Sequence, residues 1–152
     1  MPLSDLVALQ AVIPALKVNS KKQALHELAA RAATVTGRGE REILEILQQR
    51  EKLGSTGVGG GIAIPHGKLP KFDRLFGLFA RLDRPIDFES LDGQPVDLIF
   101  LLLAPEAAGA DHLKALARVA RLLRDPDTAK KLRESRDAEA IYAVLTMPAT
   151  AG

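Results

Sequence analysis

The chain has 152 residues, 47% of them hydrophobic and 26% charged, with a formal net charge of +2. That size and balance suit one soluble globular domain with a real core, and we read residues 1–152 as a single domain. The absence of cysteine excludes disulfides and thiolate metal sites, and an aromatic content of 4% with no basic cluster argues against a nucleic-acid-binding face built on stacking.

In chain order, Val12 to Val18 reads as a short extended segment interrupted by Pro14, suited to a sheet edge. Ser20 with Gln23 forms a capping box that opens a helix to about Thr34, with Leu25, Leu28, Ala29 and Ala32 on its apolar face. Gly37 and Gly39 break the chain before a second helix from Glu40 to about Leu53. Ile43, Ile46 and Leu47 mark its inward face, and Arg50, three residues beyond Leu47, continues that face into the last turn.

A glycine-rich stretch from Gly54 to Gly61 then leads into Ile62-Ala63-Ile64, which reads as a buried strand ending at Pro65 with His66 at its end. Leu75 to Leu82 reads as a strand, Pro85 to Phe88 as an extended piece before a turn at Asp92-Gly93, and Val96 to Ala104 as a central strand covered on both faces. After the loop Pro105 to Ala110, Asp111 is a candidate N-cap for a helix burying Leu113, Leu116, Ala117, Ala120 and Leu123. Asp125-Pro126 starts a shorter helix, Asp137 to Leu145 a last one, and Thr146 to Gly152 reads as a frayed tail. The expected fold class is α/β: a mixed sheet with helices on both faces. The longest apolar run, Leu98 to Ala104, falls far short of the roughly 20 residues needed to span a bilayer. No basic segment followed by a long apolar run marks a signal peptide. The expectation is a cytoplasmic protein without membrane insertion.

The chemistry concentrates around Gly54 to Leu69. Two phosphate motifs are excluded there. Gly61 and Gly67 are separated by five residues where the P-loop has four, and Leu69 stands where its Ser or Thr would be. Counted from Gly57 or Gly59, the last glycine of the dinucleotide fingerprint falls on an isoleucine. His66 therefore moves to the centre. A neutral imidazole can attack phosphorus and later pass the group on, and Ser55, Thr56, Gly60, Gly61 and Gly67 are the expected phosphoryl-binding loop, with Lys68 beside it. The bland alternative is a loop histidine bonding its own turn. His112, at a helix start, either serves an anion or is an ordinary first-turn surface residue. Arg50 either stabilises transferring charge or is an exposed helix-end cation. His26 lies off its helix's apolar face and has no assigned role, so a zinc site from the three histidines is poorly supported. No metal or cofactor is expected.

The run from Arg50 to Gly57, Gly61-Ile62-Ala63-Ile64-Pro65-His66-Gly67-Lys68-Leu69, Ser20 to Leu25, Gln94 to Leu98 and His112-Leu113 together resemble the enzyme IIA proteins of the phosphoenolpyruvate-dependent phosphotransferase system. Within the mannitol/fructose class the chain is most similar to the nitrogen-regulatory branch. The resemblance implies a mannitol-type IIA fold and phosphorylation of His66 on Nε2 by an HPr-type phosphocarrier. It implies Arg50 and His112 as the residues flanking the phosphohistidine, and regulation of targets such as potassium transporters or sensor kinases. Asp111, next to His112, is a departure that would raise the His112 pKa if it turned inward. The chain carries no IIB or IIC module, which fits a regulator. A sugar-specific IIA serving a IIB domain and a non-catalytic binding module on the same fold are the alternatives. Phe72, Leu69 and Phe76 are the candidates for an apolar rim around the site.

Overall fold

In the computed structural model, residues 3–147 are described. The first strand, β1, spans Val7–Leu16. It begins earlier than Val12, and Pro14 lies in an edge strand, where a missing N–H costs no ladder bond. Helix α1 covers Lys21–Thr36. The Ser20 side chain accepts from the Gln23 N–H (3.1 Å), and the Gln23 amide oxygen accepts from the Asn19 N–H (2.7 Å) rather than from Ser20 itself. Gly37 ends the helix in the left-handed conformation (φ 77°). Helix α2 covers Glu40–Lys52, with Ile43 and Leu47 buried.

The Gly54 to Gly61 stretch is not a loop throughout. Strand β2, Gly57–Gly59, pairs antiparallel with β3, Ile62–Ala63, in a hairpin. The expected strand through Ile64 stops after two residues, because the Ile64 N–H turns away to the Thr56 carbonyl (2.9 Å) and Pro65 has no N–H. Pairing resumes at His66, which opens strand β4, His66–Leu69, instead of closing the strand before it. β3 and β4 both run parallel to β6, Val96–Pro105, so Ile64-Pro65 is a break in one line of strand alongside β6.

Strand β5, Phe76–Ile86, lies antiparallel to β6 and parallel to β1. The result is one mixed six-stranded sheet in the order β1-β5-β6-β3-β2, with β4 beside β6. Every residue from Leu98 to Ala104 is buried, as a central strand covered on both faces requires. Helices α3 (Ala110–Arg124), α4 (Pro126–Glu134) and α5 (Ala138–Thr146) complete the fold. The Asp125 and Asp137 side chains accept from the Thr128 and Ala140 N–H groups, capping α4 and α5 as expected.

Three expectations change. α3 is capped by Gly109 (φ 55°), and Asp111 sits exposed in the first turn, where its charge favours the positive end of the helix. The buried stripe of α3 is His112, Ala115, Val119 and Leu123, while Leu113 is 68% exposed and Ala117 is exposed. Treating His112 as polar shifts the apparent stripe by one residue, about 100° around a helix. Thr146 closes α5 with its hydroxyl donating to the Tyr142 carbonyl (2.8 Å) and is no part of a tail; residues 148–152 of the expected tail lie outside the described residues.

Candidate functional site

The site forms where the end of α2, the start of β4 and the start of α3 converge. Parallel pairing of His66 with Leu102 sets the imidazole beside the C-terminal half of β6, and Gly67 lets β4 lie against α2. A Cβ on Gly67 would collide with the Ile46 side chain, so this glycine serves packing. The His66 ring is fixed from both sides. Its Nδ1 lies 2.8 Å from the Ile64 carbonyl, which can only accept, so Nδ1 carries the proton and Nε2 carries a lone pair. The Arg50 Nε–H donates to that Nε2 at 3.2 Å, and Arg50 Nη1–H donates to the Gly54 carbonyl at 2.9 Å.

His112 stands edge-on to His66, with ring centroids 5.5 Å apart and planes 75° apart. It is 4% exposed, and its Nδ1 has no hydrogen-bond partner among the described residues. Burial lowers the pKa of His66; the Ile64 carbonyl and Glu51 act against this, and Arg50 reinforces it. Burial also lowers the pKa of His112, with the charges of His66 and Lys68 acting the same way. Asp111 points outward and does not raise it. Two imidazoles kept neutral at physiological pH, one with its lone pair against a guanidinium, can take a phosphoryl group and disperse its charge.

The structure brings together Arg50, His66 and His112. It does not gather the expected loop around them. Ser55 Oγ donates to the Phe88 carbonyl (2.6 Å) and accepts from the Gly57 N–H (3.0 Å). Thr56 is buried, with both its N–H and its hydroxyl donating to the Glu51 carboxylate. Gly60 and Gly61 stand at the Asp97 level of β6, about 15 Å along the strand from His66. There the Gly60 N–H donates to Asp92 (3.0 Å) and the Gly60 carbonyl accepts from Arg133 (2.7 Å). Leu69 and Phe76 are core residues, leaving only Phe72 of the expected rim partly exposed. His26 is exposed on α1. Among the described residues no group of three His, Cys, Asp or Glu side chains is placed to hold a metal ion, and no helix is long and apolar enough to cross a membrane.

Residues 6–147 match the family described as phosphoenolpyruvate-dependent sugar phosphotransferase system, EIIA 2. The chain belongs to this family. It is 76% identical over 148 residues to a nitrogen regulatory protein of Bradyrhizobium diazoefficiens, covering 97% of each chain. Its fold superposes on the crystal structure of nitrogen regulatory protein IIA-Ntr from Neisseria meningitidis with a TM-score of 0.88 at 35% identity, over 93% of this chain and 97% of that one. The crystal structure of IIA mannitol from Escherichia coli, at 17% identity, shares the fold with a TM-score of 0.74 over 91% and 97% of the two chains. The chain is thus an EIIA domain, a phosphoryl-transfer component of the phosphotransferase system, with the expected α/β architecture.

Sequence reasoning missed Glu51 and Lys21. Glu51 lies four residues beyond Leu47 and eight beyond Ile43, so the inward stripe of α2 ends on a carboxylate. A search for apolar residues passes over that position.

Proposed function

We propose that Nε2 of His66 accepts a phosphoryl group from an HPr-type phosphocarrier, and that the charge state of the site is read by nitrogen- or potassium-related target proteins in the cytoplasm. In the transfer, the Nε2 lone pair forms a bond to phosphorus as the carrier's nitrogen–phosphorus bond breaks, and that electron pair returns to the carrier. The observation that carries this reading is the Nδ1–H bond to Ile64, which leaves Nε2 unprotonated with its lone pair directed at the Arg50 guanidinium. Arg50 would neutralise charge on the group in transit, and His112, with its unpartnered Nδ1, would orient it. Ser55, Thr56 and Gly67 support the histidine from behind rather than wrapping the phosphoryl group. The continuous sheet supports treating residues 1–152 as one IIA-like domain. The name and near-complete coverage of the Bradyrhizobium relative favour a regulatory role over sugar uptake.

Incubating the protein with phosphoenolpyruvate and the general phosphotransferase proteins should add one phosphate, labile in acid and stable in mild base. His66→Ala should take up none. Uptake of a full equivalent by His66→Ala would remove His66 from the mechanism, and no uptake by the wild-type protein would leave a binding module. Rapid onward transfer to a fructose- or mannitol-type IIB domain would instead assign a sugar-specific role.

A further inference from the structure

Behind the histidine pair lies a buried polar cluster that the phosphoryl-transfer reading does not use. The Glu51 side chain is only 7% exposed. Its Oε1 pairs with Lys21 Nζ at 2.9 Å and accepts from the Thr56 N–H at 3.1 Å, and its Oε2 accepts from the Thr56 hydroxyl. Lys21 is itself mostly buried, with Nζ 4.9 Å from the centre of the buried Phe88 ring. Both carboxylate oxygens are thus occupied, and a cation compensates the charge, as a carboxylate removed from water requires.

The cluster connects to both partners of the catalytic contact. On one side, Glu51 follows Arg50 directly in the last turn of α2, and the Arg50 guanidinium reaches the Gly54 carbonyl. Tying Thr56 back to Glu51 closes the chain from Arg50 to Thr56 into a fixed loop. On the other side, Thr56, whose N–H goes to Glu51, accepts the Ile64 N–H at its carbonyl in the next peptide (2.9 Å). The Ile64 carbonyl accepts the His66 Nδ1–H. A line of hydrogen bonds therefore runs from Lys21 and Glu51 through Thr56 and Ile64 to the far nitrogen of the reacting imidazole.

We propose that Glu51, held by Lys21 and bonded to Thr56, is a positioning residue that sets the His66 tautomer and keeps Arg50 opposed to Nε2. This rests on the reading of His66 as phosphoryl acceptor. The Glu51 charge also reaches the ring directly, opposing the effect of Arg50 on its protonation, so the carboxylate couples to His66 by field as well as by geometry.

The test is nitrogen NMR of the His66 ring in the full chain, together with the rate of phosphoryl uptake from the carrier. Wild-type His66 should show the Nδ1–H tautomer. Glu51→Gln offers one acceptor oxygen where two are used and leaves Lys21 only its longer pair with Glu89 (3.4 Å), so its His66 signals should move towards mixed tautomers. Its uptake rate should fall about ten- to a hundredfold, the scale of a small misplacement of reacting groups. Thr56→Val, which removes only the hydroxyl, should shift both readouts in the same direction by less and carries the test if Glu51→Gln does not fold. Asp97→Asn, which weakens the distant pair with Arg133, should lower thermal stability without moving either readout. A folded Glu51→Gln or Thr56→Val with wild-type tautomer and wild-type rate would overturn the proposal, as would an equal effect from Asp97→Asn. Wild-type protein that takes up no phosphate would sink the phosphoryl-acceptor reading alone, while the tautomer measurement would still decide whether Glu51 positions the ring.

Discussion

The His66 end of the sheet and the hairpin around Gly60 lie along the same side of β6, and both come from one glycine-rich run, yet their polar groups are used differently. Around Gly60, main-chain groups are held by side chains: Asp92 takes the Gly60 N–H, Arg133 takes the Gly60 carbonyl, and Arg133 pairs with Asp97 at 2.9 Å. At the other end, Nε2 of His66 meets a guanidinium donor, and the buried Nδ1 of His112 has no hydrogen-bond partner among the described residues. Glycine content marks where the backbone bends and does not by itself mark where titratable side chains gather.

Substitutions at the two ends should separate these roles. The largest effect is expected at Arg50. Arg50→Lys retains a charge but loses the planar fork that spans Nε2 and the Gly54 carbonyl, so phosphoryl uptake should slow about ten- to a thousandfold with the fold intact. Rapid-quench measurement of uptake decides it, and a near wild-type rate would reduce Arg50 to a helix-end cation. At the hairpin, Gly61→Ala places a Cβ 2.9 Å from the Asp97 carboxylate on a backbone at φ 82°. It should cost about 1–3 kcal/mol of stability in denaturant titration and leave the uptake rate unchanged. Lost uptake in a protein still folded would show that the hairpin belongs to the site after all.

The smallest expected effect is on the pH dependence of stability. Burial holds both His66 and His112 below the ordinary histidine pKa of about 6.5 in the folded protein. Below that pH the unfolded chain binds protons that the folded chain refuses. The stabilisation from the neutral pair is therefore complete above about pH 6.5 and is lost as pH falls from there through the folded-state pKa values. His112→Gln should flatten this acid limb of the stability curve, and an unchanged slope would mean that His112 titrates as if exposed.

Much of the fold was legible because it is encoded locally. Ser20, Asp125 and Asp137 announce helix starts through bonds spanning three residues, and the apolar run of β6 announces its own burial. Arg50 and His66 could be placed together from helix phase and motif. The errors arose where distant partners decide. The α3 stripe was read one residue off because a buried imidazole counts as polar until its neighbours are known. Gly60 and Gly61 were assigned to the site because sequence proximity to His66 hides a separation along β6. Leu69 and Phe76 were placed on a rim because strand pairing, not sequence, turns them into the core. Glu51 was passed over because its partners Lys21 and Thr56 lie on either side of it in the chain, and only folding reveals the pairing.

The break at Ile64-Pro65 has a kinetic side. Because the carbonyl that holds the His66 ring lies only two residues before it, across a proline that fixes its own φ, the ring is oriented by a short and stiff piece of chain. The rotational freedom of the His66 ring is surrendered during folding. On the phosphoryl-carrier reading, each encounter with a carrier then meets a side chain already in its reactive rotamer and tautomer. A collision in the right orientation then needs no added search by the imidazole.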